Sequence, residues 1–153
     1  MRILIDADGC PVVEETLAAA REYGAACLIL CDTSHVFERP GAETVVVSKG
    51  ADSVDFALVN RLQKGDVVVT QDYGVAAMCL ARGARVLHQD GMEYTADNID
   101  ALLMARHTAR KVRSSGGRLK GSARRKPEQN TAFAAALRRI LSEKPVYPDG
   151  ERV

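Results

Sequence analysis

The chain has 153 residues, 46% of them hydrophobic and 27% charged, which describes one globular domain with enough apolar surface to build a core. No apolar run approaches the roughly 20 residues a membrane helix needs, and Asp6 arrives before any signal-peptide core can form, so a cytoplasmic protein is expected. The net charge of +1 hides an asymmetry: residues 1–105 hold 8 cations against 16 acids, whereas 106–126 hold nine cations and no acid, a distribution that suits a polyanionic partner.

In chain order, strand-like runs fall at Arg2–Ala7, Ala26–Cys31, Glu43–Val47, Asp66–Thr70 and Ala84–His88. All are short and aliphatic with little polar alternation, as in parallel strands buried on both faces. Helical periodicity lies between them. Val12–Tyr23 sets Val13, Leu17 and Ala20 on one face and stops at Gly24; Ala51–Leu62 groups Val54, Leu58 and Leu62; Tyr73–Ala81 ends at Gly83. The link Asp32–Ala42 lacks a helical pattern, so the second and third strands are expected to join by a loop. Strands alternating with helices predict a doubly wound α/β sheet.

Further along, Ala96–Val112 reads as a long helix with Thr95 as its N-cap. Ser114-Ser115-Gly116-Gly117 opens a basic stretch that reads as a flexible loop to Pro127, Glu128–Ser142 as an amphipathic helix presenting Phe133, Leu137 and Ile140 or Leu141 to the core, and 144–153 as a tail. Thus 1–113 forms the α/β domain, 114–127 a loop, and 128–143 a helix packed on the same domain. The four cysteines read as buried thiols: Cys27 and Cys31 share a strand, roughly 13 Å apart at about 3.3 Å per residue, beyond the 7 Å or so that a disulfide spans.

The acids carry the chemistry. Ligands of open α/β sheets bind at the carboxyl ends of the strands. Asp6 and Asp8 end the first strand, Asp72 follows the fourth, and Asp52 and Asp55 open the helix after the third. If strands one and four are neighbours, Asp6, Asp8 and Asp72 share one edge. Carboxylates gathered in a pocket repel, and a hard divalent cation such as Mg²⁺ resolves the repulsion; such sites cleave phosphodiesters. Each acid also has a plainer explanation. Asp52 and Asp55 match a capping box, Asp72 suits an N-cap, Asp8 a turn before Pro11, and Asp66 a turn at the far end of its strand. Asp6, inside an aliphatic strand, resists such explanations. His35, after the second strand, is a candidate phosphate contact or a plain surface histidine; Lys49 a phosphate neutraliser or a solvated lysine; Gln71 a hydrogen-bonding group in the cleft. Arg106, Arg110 and Arg113 open the basic segment, which suits phosphate-backbone contacts without base stacking, since 95–126 contains no aromatic residue.

The segments Asp6-Ala7-Asp8-Gly9-Cys10-Pro11, Asp32-Thr33-Ser34-His35, Gly50-Ala51-Asp52-Ser53-Val54-Asp55, Gly65 through Gly74 and Gly91-Met92-Glu93-Tyr94-Thr95 together resemble the bacterial YaiI/YqxD family, over nearly the whole chain to about Leu141. The family start carries alanine where Gly9 stands here, a departure expected to loosen the turn. The resemblance implies a three-layer PIN-like (Rossmann-like) fold: a parallel sheet in the order 3-2-1-4-5 with helices on both faces and an acidic cleft at its carboxyl edge. PIN-like proteins are often Mg²⁺- or Mn²⁺-dependent ribonucleases. By that resemblance Asp6 and Asp72 hold metal, Asp52 or Asp55 supplies the middle acid, and Asp8 is a ligand or a base beside the ligands. The expected activity is hydrolysis of RNA, bound through its backbone without sequence readout.

Two alternatives stand beside it. One is a non-catalytic RNA- or nucleotide-binding protein on a degenerate PIN-like scaffold. The other is a phosphatase of the haloacid dehalogenase type, since Asp6-Ala7-Asp8-Gly9 fits D-x-D-G; against it, Lys64-Gly65-Asp66 precedes its strand rather than following one, and no cap domain is evident.

Overall fold

A computed structural model describes residues 1–50, 53–116 and 124–143. Five strands, β1 (Arg2–Asp6), β2 (Ala26–Asp32), β3 (Glu43–Val47), β4 (Val67–Val69) and β5 (Arg85–Leu87), run parallel. A two-residue strand that the periodicity did not predict, β6 (Glu93–Tyr94), adds antiparallel to β5 and extends the sheet order to 3-2-1-4-5-6. Five helices complete the chain: α1 (Val13–Tyr23), α2 (Ser53–Arg61), α3 (Tyr73–Ala81), α4 (Ala96–Ser114) and α5 (Pro127–Ser142). The α/β class and the expected strand order are both present, and β2 passes to β3 through turns without a helix.

The layers follow from strand parity. Along β1, Ile3 and Ile5 point to one face and Leu4 to the other, and all three are fully buried. Ile3 and Ile5 pack with Val13 and Leu17 of α1 and with Phe133, Leu137 and Ile140 of α5. Leu4 packs with Leu58 of α2, Val75 of α3 and Ile99 of α4. Because both faces of β1 need apolar cover, the strand reads as an unbroken aliphatic run and takes the centre of the sheet. The C-terminal helix is therefore part of the domain, seated against α1.

Helix ends match their sequence signals. Gly24 closes α1 at φ +64°, where only glycine is unstrained. Thr95 and Asn98 form a capping box on α4. That helix runs two residues past the expected Val112, which shortens the predicted loop at 114; residues 117–123 of that loop and the predicted tail 144–153 lie outside the described residues. Cys27, Cys31 and Cys79 are buried free thiols and Cys10 is half-buried. Among the described residues no helix is long and apolar enough to cross a membrane.

Candidate functional site

The loops leaving β1, β2 and β4 open on the same edge, and the acids land there. Asp6, Asp8, Asp32, Asp55 and Asp72 line a pocket of about 430 Å³, with Arg106 of α4 its cation among the described residues. The positions explain the convergence. Asp6 is the last residue of the central strand, flanked by β2 and β4. Asp32 ends β2, and Asp72 sits between β4 and α3.

Asp6 is 9% exposed, and its Oδ2 accepts a hydrogen bond from the Thr70 hydroxyl at 2.8 Å. The same hydroxyl oxygen accepts from the Asp72 N–H at 3.1 Å, so Thr70 ties the two acids together. Burial pushes the Asp6 carboxyl up to about 6; the Thr70 bond opposes that rise, while the charges of Asp55, Asp72 and Asp8 add to it. Among the described residues no cation forms an ion pair with Asp6 or Asp8.

Asp72 does two jobs. Its Oδ1 caps α3, accepting from the Gly74 and Val75 N–H groups at 2.8 and 3.2 Å, as the capping explanation anticipated. Arg106 Nη1 lies 3.6 Å from that oxygen, with the Arg106 side chain exposed and that of Asp72 partly so, and the contact is a loose one. Asp8 is exposed at the mouth. Beside it Gly9 takes φ +65° in a turn closed by the Cys10 N–H on the Ala7 carbonyl at 3.1 Å. Glycine thus fits the turn where a loosened one was expected. A Cβ on Gly9 would lie 3.0 Å from Gln71 Nε2, so this turn also brings the backbone against the Gln71 amide.

The other predicted residues divide. Asp55 and Gln71 line the pocket; Asp52 lies outside the described residues. His35 and Lys49 are exposed and do not line it. The reason is local for His35: Asp32 Oδ1 accepts from the Ser34 and His35 N–H groups at 2.8 and 3.2 Å, a turn that folds this loop on its own acid. Arg106 and Arg110 line a small basic cavity on α4 with Leu103 and His107, adjoining the acidic pocket through Arg106; Arg113, exposed further along α4, lines neither. Asp32 was passed over in the sequence, although it carries the signal that singled out Asp6, an acid ending an aliphatic strand.

The donor set is carboxylate and amide oxygen, the preference of Mg²⁺ and Mn²⁺, and the Asp6 carboxyl is raised first by burial and then by the neighbouring acids. Among the described residues no group of three or more His, Cys, Asp or Glu side chains converges into a ready metal cage. A divalent cation held here would rest on few carboxylates and keep part of its water shell, as Mg²⁺ commonly does.

Comparison with known proteins gives a consistent family. The family described as "Uncharacterized BCR, YaiI/YqxD family" matches residues 4–143. A UPF0178 protein of Exiguobacterium sibiricum is 47% identical over 144 residues, covering 94% of this chain and 99% of the relative. Another UPF0178 protein, of Clostridium acetobutylicum, is 48% identical over 143 residues, covering 92% and 97%. A third, of Enterococcus faecalis, is 40% identical over 140 residues, covering 90% and 95%. No solved structure matches the chain.

Proposed function

The chain belongs to the YaiI/YqxD family, and we propose that it is a Mg²⁺- or Mn²⁺-dependent ribonuclease that hydrolyses single-stranded RNA in the acidic pocket. The observation that carries this reading is Asp6: a carboxylate buried at the end of the central strand, its carboxyl raised by burial and by three neighbouring acids, facing a pocket with one cation among the described residues.

Asp6 and Asp72 would hold the cation, with the remaining positions filled mainly by water and with Asp55 or Asp52 in reach of that water. When bound, the cation screens the phosphate oxygens and makes a water acidic enough to attack at neutral pH. The remaining work falls to the chain itself. Thr70 fixes the Asp6 carboxylate through its hydroxyl. Asp8, exposed at the mouth, would take the proton of the attacking water as its oxygen bonds to phosphorus, and would return that proton to the leaving ribose oxygen as the P–O bond to it breaks. Arg106 and Arg110, on the flank of the pocket, hold backbone phosphates.

A second reading has its own observation. Asp72 already serves a helix cap and meets Arg106, and the described acids form no closed cage; a non-catalytic RNA- or nucleotide-binding protein needs nothing more. The phosphatase is disfavoured, because Asp66 lies at the opposite edge of the sheet and is paired with Arg2 at 2.8 Å.

The test is cleavage of an end-labelled single-stranded RNA in Mg²⁺ and in Mn²⁺. Metal-dependent cleavage by the wild type and none by Asp6→Asn supports the nuclease. Equal cleavage by the variant refutes it, and salt-sensitive RNA binding without turnover in either metal selects the binding protein.

A further inference from the structure

A second cavity, of about 350 Å³, shares a wall with the acidic pocket: Gln71 and Tyr73 line both. Its other walls come from three separate places, namely His88, Gln89 and Asp90 between β5 and β6, Arg125 just before α5, and Gln129 in the first turn of α5. The chemistry there differs from that next door.

Charge is the first difference. Asp90 is paired with Arg125, which is fixed in turn by the Gln89 carbonyl at 2.7 Å and by Asn130 Oδ1 at 2.8 Å. His88 Nδ1 accepts the Asp90 N–H at 3.1 Å, and burial lowers the imidazole pKa. The 3.6 Å approach of Asp90 Oδ2 to the same nitrogen is therefore a contact with a neutral ring, whose Nε2–H remains a donor. The described lining of the cavity is close to neutral, beside a pocket with five acids and one cation among the described residues. It offers little net attraction to a phosphate or a divalent ion.

Planarity and hydrogen bonding are the second difference. Tyr73, in a T-shaped contact with Tyr94 at 6.0 Å between ring centroids, lines the cavity with an aromatic ring. The amides of Gln71, Gln89 and Gln129 supply donors and acceptors. Gln129 Oε1 accepts from the Lys126 N–H at 2.6 Å, so that oxygen is already engaged and the NH₂ is the donor its amide has left to offer. A neutral, flat ligand with mixed hydrogen-bonding edges matches these walls, and base–aromatic stacking is a general way to hold one.

We propose that this cavity is a nucleobase subsite, taking the base of the nucleotide next to a phosphate held at the acidic pocket. The proposal rests on reading that pocket as a phosphodiester site. Arg106 is in turn shared between the acidic pocket and the basic cavity of Arg110 and His107. The three cavities are thus joined in series by shared residues, base subsite to acids to cations. Such a series fits a polynucleotide better than a free mononucleotide.

The experiment is an NMR titration of the full chain, free of divalent metal, with adenosine, guanosine, cytidine, uridine and ribose 5-phosphate. At least one nucleoside produces saturable shifts in the amides of residues 71–73 and 88–90, and ribose 5-phosphate does not. Tyr73→Leu removes the ring, and Gln129→Glu keeps an oxygen for the Lys126 N–H while removing the NH₂ donor. Each weakens nucleoside binding at least five-fold in a folded protein. No shifts at these positions, an equal response to ribose 5-phosphate, or unchanged affinity in both variants overturns the subsite. Nucleoside binding without RNA cleavage keeps the subsite and removes the nuclease; cleavage without nucleoside binding does the reverse.

Discussion

Replacing Asp6 by Asn measures how much the fold gives up to keep a carboxylate at the end of its central strand. The ordinary carboxyl pKa is 3.8 and the folded value is about 6. A rise of about two units corresponds to about 3 kcal/mol at about 1.36 kcal/mol per unit. The sign follows from linkage: a group whose pKa is raised by folding stabilises the protein below its unfolded pKa, and that contribution disappears as pH rises through the folded value. Asn is neutral throughout and keeps an oxygen for the Thr70 hydroxyl. In urea titrations without divalent metal, wild type and Asp6→Asn should be similar near pH 4. Near pH 8 the variant should be more stable by up to about 3 kcal/mol, an upper bound because the neighbouring acids relax. Saturating Mg²⁺ should then recover much of the difference in the wild type, since a ligand at 100 times its Kd contributes about 2.7 kcal/mol. The same stability difference at pH 4 and pH 8 would refute the electrostatic account of this residue.

Further outcomes follow from the surrounding contacts. Thr70→Val deletes the hydroxyl that donates to Asp6 and accepts from Asp72, so the Asp6 carboxyl should titrate above 6 in a ¹³C NMR titration, with a stability cost of about 1–2 kcal/mol. Arg106→Ala should change stability by less than about 1 kcal/mol, because its pair with Asp72 is exposed. The same variant should weaken RNA binding and reduce the salt slope by about 1, read by fluorescence anisotropy over a salt series. Asp66→Asn should cost about 2 kcal/mol in urea denaturation, below the buried-pair range because Arg2 is 30% exposed, and leave any RNA cleavage unchanged at the far edge of the sheet.

The fold was legible wherever an element needed both faces covered or a distinct cap. Ile3-Leu4-Ile5 is aliphatic at both parities, which only a central strand requires, and Thr95 announced α4 as Asp72 announced α3. β6 was not legible because two residues carry no period, although its Tyr94 is among the largest fully buried side chains. In the candidate site, Asp6, Asp8 and Asp72 could be placed from strand ends and the 1-next-to-4 order alone, whereas Asp55 entered through the family resemblance as one of two options for the middle acid. Asp32 was missed because β2 was ended at Cys31, one residue short, which moved the acid into the loop. His35 and Lys49 were drawn to the pocket by chain proximity, and both are exposed outside its lining. The second cavity was invisible in sequence: its residues come from segments far apart in the chain. Arg125, counted among the cations of a polyanion-binding stretch, is tied to Asp90, so that part of the basic segment is an internal strut.

Anomalous scattering from crystals soaked in Mn²⁺ tests the central claim most directly. A peak beside the carboxylates of Asp6 and Asp72 in the wild type, absent from Asp6→Asn crystals, is the predicted result. Fully soaked wild-type crystals with no peak in the pocket, or with the same peak in the variant, would contradict the claim that these acids gather to hold a cation.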